Sequence, residues 1–156
     1  MPNEFRARLD GSGRRVAVVA SRFNDLVTKR VVEGAVEGLK AHGIEDSAID
    51  VYWVAGAFEV PQLAARIARE KKVDGVVWAG AIIRGETSHY DVLSTTVTQS
   101  IETAALSTGV PMTLAVLTTD TLEQAVDRAG GKHGNAGWNA AVALVELMAQ
   151  FRSSNG

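Results

Sequence analysis

Gly80-Ala81-Ile82-Ile83-Arg84-Gly85-Glu86-Thr87-Ser88-His89-Tyr90-Asp91 is the stretch on which the reading of this chain turns. The apolar run before it, Val76-Val77-Trp78-Ala79, has the look of a buried strand, and a helical pattern begins near Tyr90. A loop that leaves the carboxyl end of a parallel strand and enters a helix is where open α/β sheets bind ligands. The unpaired N–H groups and positive dipole end of the helix start suit an anion such as phosphate. Gly85 lets backbone come close to that anion, Thr87 and Ser88 offer hydroxyls, and His89 supplies the side-chain type that titrates near neutral pH. An anion site beside a proton-transfer group describes an active centre. A capped helix start with a solvated histidine accounts for the same residues.

Working outward, Arg15 to Ala20, Ile49 to Val54, Gly75 to Ile83 and Pro111 to Leu117 are short, continuously apolar strand candidates. Helical spacing links Val27, Val31, Ala35 and Leu39 over Asp25 to Ala41, with Asn24 as the expected N-cap and Gly43 as the terminator. Gly34 and Gly38, four apart, would admit close packing against the sheet or another chain. Further helices are expected from Pro61 to about Lys72, from Tyr90 to about Ser107 and from Ala136 to about Phe151. A short one, capped by Asp120, would reach Ala129, and a turn would follow over Gly130 to Asn135. Strands alternating with helices imply βαβ units and a parallel sheet covered on both faces. The fold class is therefore α/β, a three-layer α/β/α sandwich around a four-stranded parallel sheet; alternation does not fix the strand order, for which 2-1-3-4 is the flavodoxin-like choice. Residues 1–13, ending in Gly11-Ser12-Gly13, read as an N-terminal arm, and 14–156 as one domain.

Two helices carry more than a core face. The one from Tyr90 sets Val92, Leu93, Val97, Ile101 and Ala105 against Ser94, Thr95, Thr98, Gln99 and Glu102, a side poor in charge that fits a polar interface or channel. The last, Trp138 to Met148, is apolar nearly all round, as befits a helix buried on several sides, either by deep packing or by other subunits.

Composition removes whole classes of function. With 156 residues the chain can bury a real core. A net charge of −2 and no basic run argue against nucleic acid or an anionic membrane as partner. No cysteine is present, which excludes disulfides, thiolate metal sites and cysteine nucleophiles. No His/Asp/Glu grouping has metal-ligand spacing, and neither a P-loop nor a Gly-x-Gly-x-x-Gly fingerprint occurs. Without an apolar stretch long enough for a bilayer or a signal-peptide core, the expectation is a cytoplasmic protein that contacts no membrane.

Three strand-exit loops at one sheet edge carry unusual residues. Phe23 stands on the first, able to stack on a planar ring or simply to cover the core edge. Phe58 and Glu59 follow Ala55-Gly56-Ala57 on the second, where a carboxylate can accept from polyol hydroxyls or merely complement a helix dipole. The third is the Gly85–His89 loop. Arg128, near a helix end, is either a dipole partner or a fork for phosphate, with Lys132 and His133 nearby; His42 reads as structural.

In register along the chain, Ser21-Arg22-Phe23-Asn24, Gly56-Ala57-Phe58-Glu59-Val60-Pro61, Gly80 to Asp91, Val116 to Ala125, Arg128-Ala129-Gly130 and Gly134-Asn135 resemble the 6,7-dimethyl-8-ribityllumazine synthase family. The resemblance covers all but the arm. It implies a riboflavin-pathway transferase that condenses 5-amino-6-(D-ribitylamino)uracil with 3,4-dihydroxy-2-butanone 4-phosphate, without a cofactor or metal. It implies that Phe23 stacks on the pyrimidine, that Ala57, Phe58 and Glu59 hold the ribityl chain, and that the Ala81-Ile82-Ile83 backbone reads the uracil edge. Gly85, Glu86 and Thr87 would cradle the phosphate, Arg128 would neutralise it, and His89 would shuttle protons. Leu114, where relatives often carry Phe, would reach the ring from the adjacent subunit. Ala57 stands where some members have Ser. The resemblance also implies pentamers with shared active sites and, given the short Gly130–Gly137 connection, a hollow icosahedral shell. A cage that has lost the chemistry, or a flavin-type binding module on the same fold, are the rival readings.

Overall fold

The computed structural model describes residues 1–70, 72–85 and 88–154. Its central sheet is built from β1 (Val16–Ser21), β2 (Ile49–Val54), β3 (Gly75–Ile83) and β4 (Met112–Thr119). All its pairings are parallel, as the alternating pattern implied, and the order is β2-β1-β3-β4, the flavodoxin-like choice. β1 and most of β3 are buried on both faces, which is why their sequences, the final Ser21 of β1 aside, are continuously apolar rather than alternating.

Helices α1 (Asp25–Ala41) and α5 (Ala136–Ser154) cover one face; α2 (Val60–Arg69) and α3 (His89–Thr108) cover the other. Val16, Val18, Val77 and Ala79 meet Val31, Leu39, Leu144 and Val145 on the first side. On the second, Val19, Val76 and the fully buried Trp78 meet Val60, Ala64, Val97 and Ile101. The short α4 (Leu122–Asp127) follows β4.

Several local details depart from the sequence reading. Asn24 occupies the N-cap position of α1 but does not cap it. Its backbone is left-handed (φ 61°), and its side-chain amide donates to the Ala81 carbonyl at 3.0 Å. The cap of α4 is Thr121, which accepts from Gln124 N at 3.1 Å while the Gln124 side chain reaches back to the Thr121 N–H. Asp120 is drawn instead to Arg84. Gly38 faces α5, since a Cβ there would strike Ala141, while a Cβ on Gly34 would strike the Asn135 side chain just ahead of that helix. The segment expected as a turn is a small hairpin, β5 (Ala129–Gly131) against β6 (Gly134–Asn135), irregular at its register shift. α2 ends at Arg69 rather than near Lys72.

α3 is thinly covered. Val97, Ile101 and Ala104 are its buried residues, while Val92 and Leu106 stand 64% and 76% exposed. Its hydroxyls turn back on the helix: Thr98, Ser100 and Thr103 donate to the carbonyls of Ser94, Thr96 and Gln99 at 2.7–3.0 Å. A side of such residues is polar without needing bulk water for each hydroxyl. Residues 1–13 form neither helix nor strand, and the Phe5 carbonyl accepts from Gln150 of α5 at 3.0 Å.

Candidate active site

Because every pairing in the central sheet is parallel, the exit loops of β1, β2 and β3 leave at one edge, and short bonds lace them together. Arg22 N donates to the Val54 carbonyl at 2.7 Å and Phe23 N to that of Ala55 at 3.1 Å, which joins the first two loops. The Asn24–Ala81 bond joins the first loop to β3. Pairing of β3 with β1 stops at Ala79, yet β3 runs on to Ile83 beside β4 alone. Its last residues thus keep one backbone edge turned toward the space above β1.

That space is a cleft of about 530 Å³, within the range of small-molecule sites. Phe23, Ala57, Phe58 and Glu59 line it from the first two loops; Ala81, Ile82, Ile83, Gly85 and His89 line it from the third. Phe23 is 72% exposed, a large aromatic with little of its own chain to pack on. Glu59 sits at the head of α2, and its carboxylate folds back over Gly56, where a Cβ would lie 3.3 Å from Oε2. The same space is bounded by Ala55, Gly56, Tyr90 and Leu93, which the sequence reading took as loop and helix framework rather than site. The helical period is the signal that could have added Leu93, since it lies one turn beyond His89.

Glu86 and Thr87, expected to cradle an anion with Gly85, lie outside the described residues. Leu114 and Arg128 are not among the residues lining the cleft. Leu114 is 41% exposed on β4, and Arg128 extends from the end of α4 with Nη1 donating to the Gln124 carbonyl at 3.2 Å. A larger cavity of about 650 Å³ opens at the opposite edge, among Arg14, Asp74, Pro111 and Arg152. It holds none of the candidate residues and sits at the amino ends of the strands, away from the edge where parallel sheets place their ligands.

Arg84 directly follows β3 and is not among the residues that line the cleft. It donates to Asp120 through Nε at 2.7 Å, pairs with Asp91 at 3.7 Å and lies over the Tyr90 ring at 4.5 Å. The bond to Asp120 raises its proton affinity further, with Asp91 acting in the same sense. Among the described residues no group of three His, Asp or Glu is placed to hold a metal ion, and no helix is long and apolar enough to cross a membrane.

Comparison with known proteins gives the family. The family model for 6,7-dimethyl-8-ribityllumazine synthase matches residues 13–152. A protein of that name from Leuconostoc mesenteroides is 49% identical over 148 residues, which spans 94% of this chain and 95% of the relative. The ring, carboxylate and imidazole that meet at the sheet edge therefore stand on a chain that belongs to the 6,7-dimethyl-8-ribityllumazine synthase family.

Proposed function

We propose that this cleft condenses 5-amino-6-(D-ribitylamino)uracil with 3,4-dihydroxy-2-butanone 4-phosphate to 6,7-dimethyl-8-ribityllumazine, the penultimate step of riboflavin biosynthesis, with loss of phosphate and water. The observation that supports it most is the meeting of Phe23, Glu59 and His89 in one cleft, although 66 positions separate the outer two. Phe23 stacks on the pyrimidine. Ala57, Phe58 and Glu59 take the ribityl chain, Glu59 accepting from its hydroxyls. The backbone of Ala81, Ile82 and Ile83 reads the uracil. Gly85, Glu86 and Thr87 hold the phosphate. His89 moves the protons that imine formation, phosphate elimination and ring closure require.

Leu114 and Arg128 fit this scheme if they serve the cleft of a neighbouring copy, the first as apolar cover for the ring and the second as a phosphate fork. Arg128→Ala is then expected to raise KM for the butanone phosphate by about ten- to a hundredfold, the scale of one hydrogen bond to a charged group. Steady-state kinetics checks this, and an unchanged KM removes Arg128 from the phosphate site. The deciding experiment for the function is to mix both substrates with the purified protein and follow lumazine fluorescence. A bound yellow chromophore without turnover would favour a flavin-type binding module; a shell with neither would favour a cage.

The assembly we propose is a pentamer, with α3 toward its centre and further closure into an icosahedral shell. Val92, Leu106 and Leu114 are large apolar side chains left open by the single chain, as subunit contacts require. Residues 1–13 act as an arm and 14–156 as one domain, in the cytoplasm. Analytical ultracentrifugation is expected to show particles far larger than a pentamer. Free pentamers alone would overturn the shell, and a monomer would overturn both.

A further inference from the structure

We infer that Arg84 is a positioning residue, which ties the exit loop of β4 to the first turn of α3 and so fixes where Tyr90 and His89 stand in the cleft. Its backbone is anchored first: Arg84 N donates to the Thr119 carbonyl at 2.8 Å, where β3 and β4 end side by side. The guanidinium then makes three contacts in three directions. Nε bonds Asp120 of the β4 exit at 2.7 Å, Nη2 lies 3.7 Å from the Asp91 carboxylate, and Cζ sits 4.5 Å from the centroid of the Tyr90 ring.

Tyr90 and Asp91 directly follow His89, and both His89 and Tyr90 line the cleft. A side chain that holds residues 90 and 91 therefore sets the orientation of the helix turn on which the imidazole is carried. Neither Asp120 nor Asp91 lines the cleft, so the two charged contacts of this cation lead into the frame, and Tyr90 is the one partner that also faces the cleft. With two carboxylates beside it, its charge is already compensated. Planarity matters as well, because a guanidinium can bond a carboxylate at its edge while its face lies on a ring, which an ammonium cannot reproduce.

The inference rests on the proposed synthase reaction, and its test separates the two. Wild type, Arg84→Ala, Arg84→Lys and Asp120→Asn are compared by steady-state kinetics on both substrates and by amide hydrogen exchange over residues 88–92. In Arg84→Ala, kcat is expected to fall about tenfold, the effect of a small misplacement of a reacting group. KM for the butanone phosphate is expected to stay within about twofold, since no ground-state contact is lost. Exchange at Tyr90 to Val92 should quicken, and Arg84→Lys should recover little of the rate. Unchanged kcat and unchanged exchange in Arg84→Ala overturn the inference. So does a tenfold rise in KM with kcat intact, the mark of a direct phosphate contact. Should Arg84→Ala fail to fold, Asp120→Asn, which weakens one contact and keeps the guanidinium, decides by the same two readouts. A wild-type protein without turnover defeats the synthase reading, and the exchange data then judge the clamp alone.

Discussion

Replacing Gly137 by Ala is expected to destabilise the fold by about 3 kcal/mol, at the upper end of what overpacking a close contact costs. Gly137 is the second residue of α5, at the point where that helix crosses α1. A Cβ there would run into the Val31 carbonyl oxygen and come within 2.8 Å of Ala35 N. Both obstacles are backbone, so neither can rotate away. The opposing term is the helix preference of Ala over Gly, about 1 kcal/mol in a helix interior. The clash exceeds it because relief requires α5 to lift from α1, and these two helices jointly seal one face of the sheet through Val31, Ala35, Ala141 and Leu144. For a chain of this size the melting temperature should fall by roughly 10 °C, with wild type and variant held at the same protein concentration because association shifts apparent stability. A variant that unfolds at the wild-type urea midpoint would show that the crossing is looser than described.

The second large effect is on turnover. His89→Ala is expected to lower kcat about a hundredfold while leaving a measurable rate, since a positioned acid–base group contributes on that scale. The residue is the first of α3 and lies on the cleft rim with Phe58, Glu59 and Gly85. The remaining rate comes from holding two reactive substrates together, an advantage that the cleft walls supply without the imidazole. KM for either substrate should move less than kcat, because proton transfer belongs to the transition state rather than to binding. Steady-state kinetics with both substrates checks this. Full activity in His89→Ala would move proton transfer to solvent or to another group. Complete loss would mean that the imidazole does more than shuttle protons.

The cleft was legible at the level of which loops meet, and the reason is topological. Four apolar segments separated by helical ones can form little but a parallel sheet, and parallel strands all exit at one edge. Phe23, Glu59 and His89 each follow a strand, so their shared location follows from the order of the elements. The missed details have another origin. Asn24 and Asp120 look like helix caps because each stands at the head of a helix and has the right side chain. Their partners are instead Ala81, 57 positions away, and Arg84, 36 positions away. Nothing in a local window reports such partners. The hairpin at Ala129–Asn135 was hidden for a related reason: its strands are two or three residues long, too short for alternation to register.

By itself, then, the sequence determined the layers and the edge at which the chemistry-bearing loops gather, because periodicity and parallel connectivity act through neighbours in the chain; the strand order 2-1-3-4 was the flavodoxin-like choice, and the tertiary pairing fixed it. The tertiary structure alone decided that Gly38 of α1 receives α5 rather than the sheet, that Arg84 is claimed by two carboxylates and a ring, and that Arg128 stands outside the cleft of its own chain. Those outcomes depend on distances between residues remote in sequence, which packing fixes only once the layers have closed on one another.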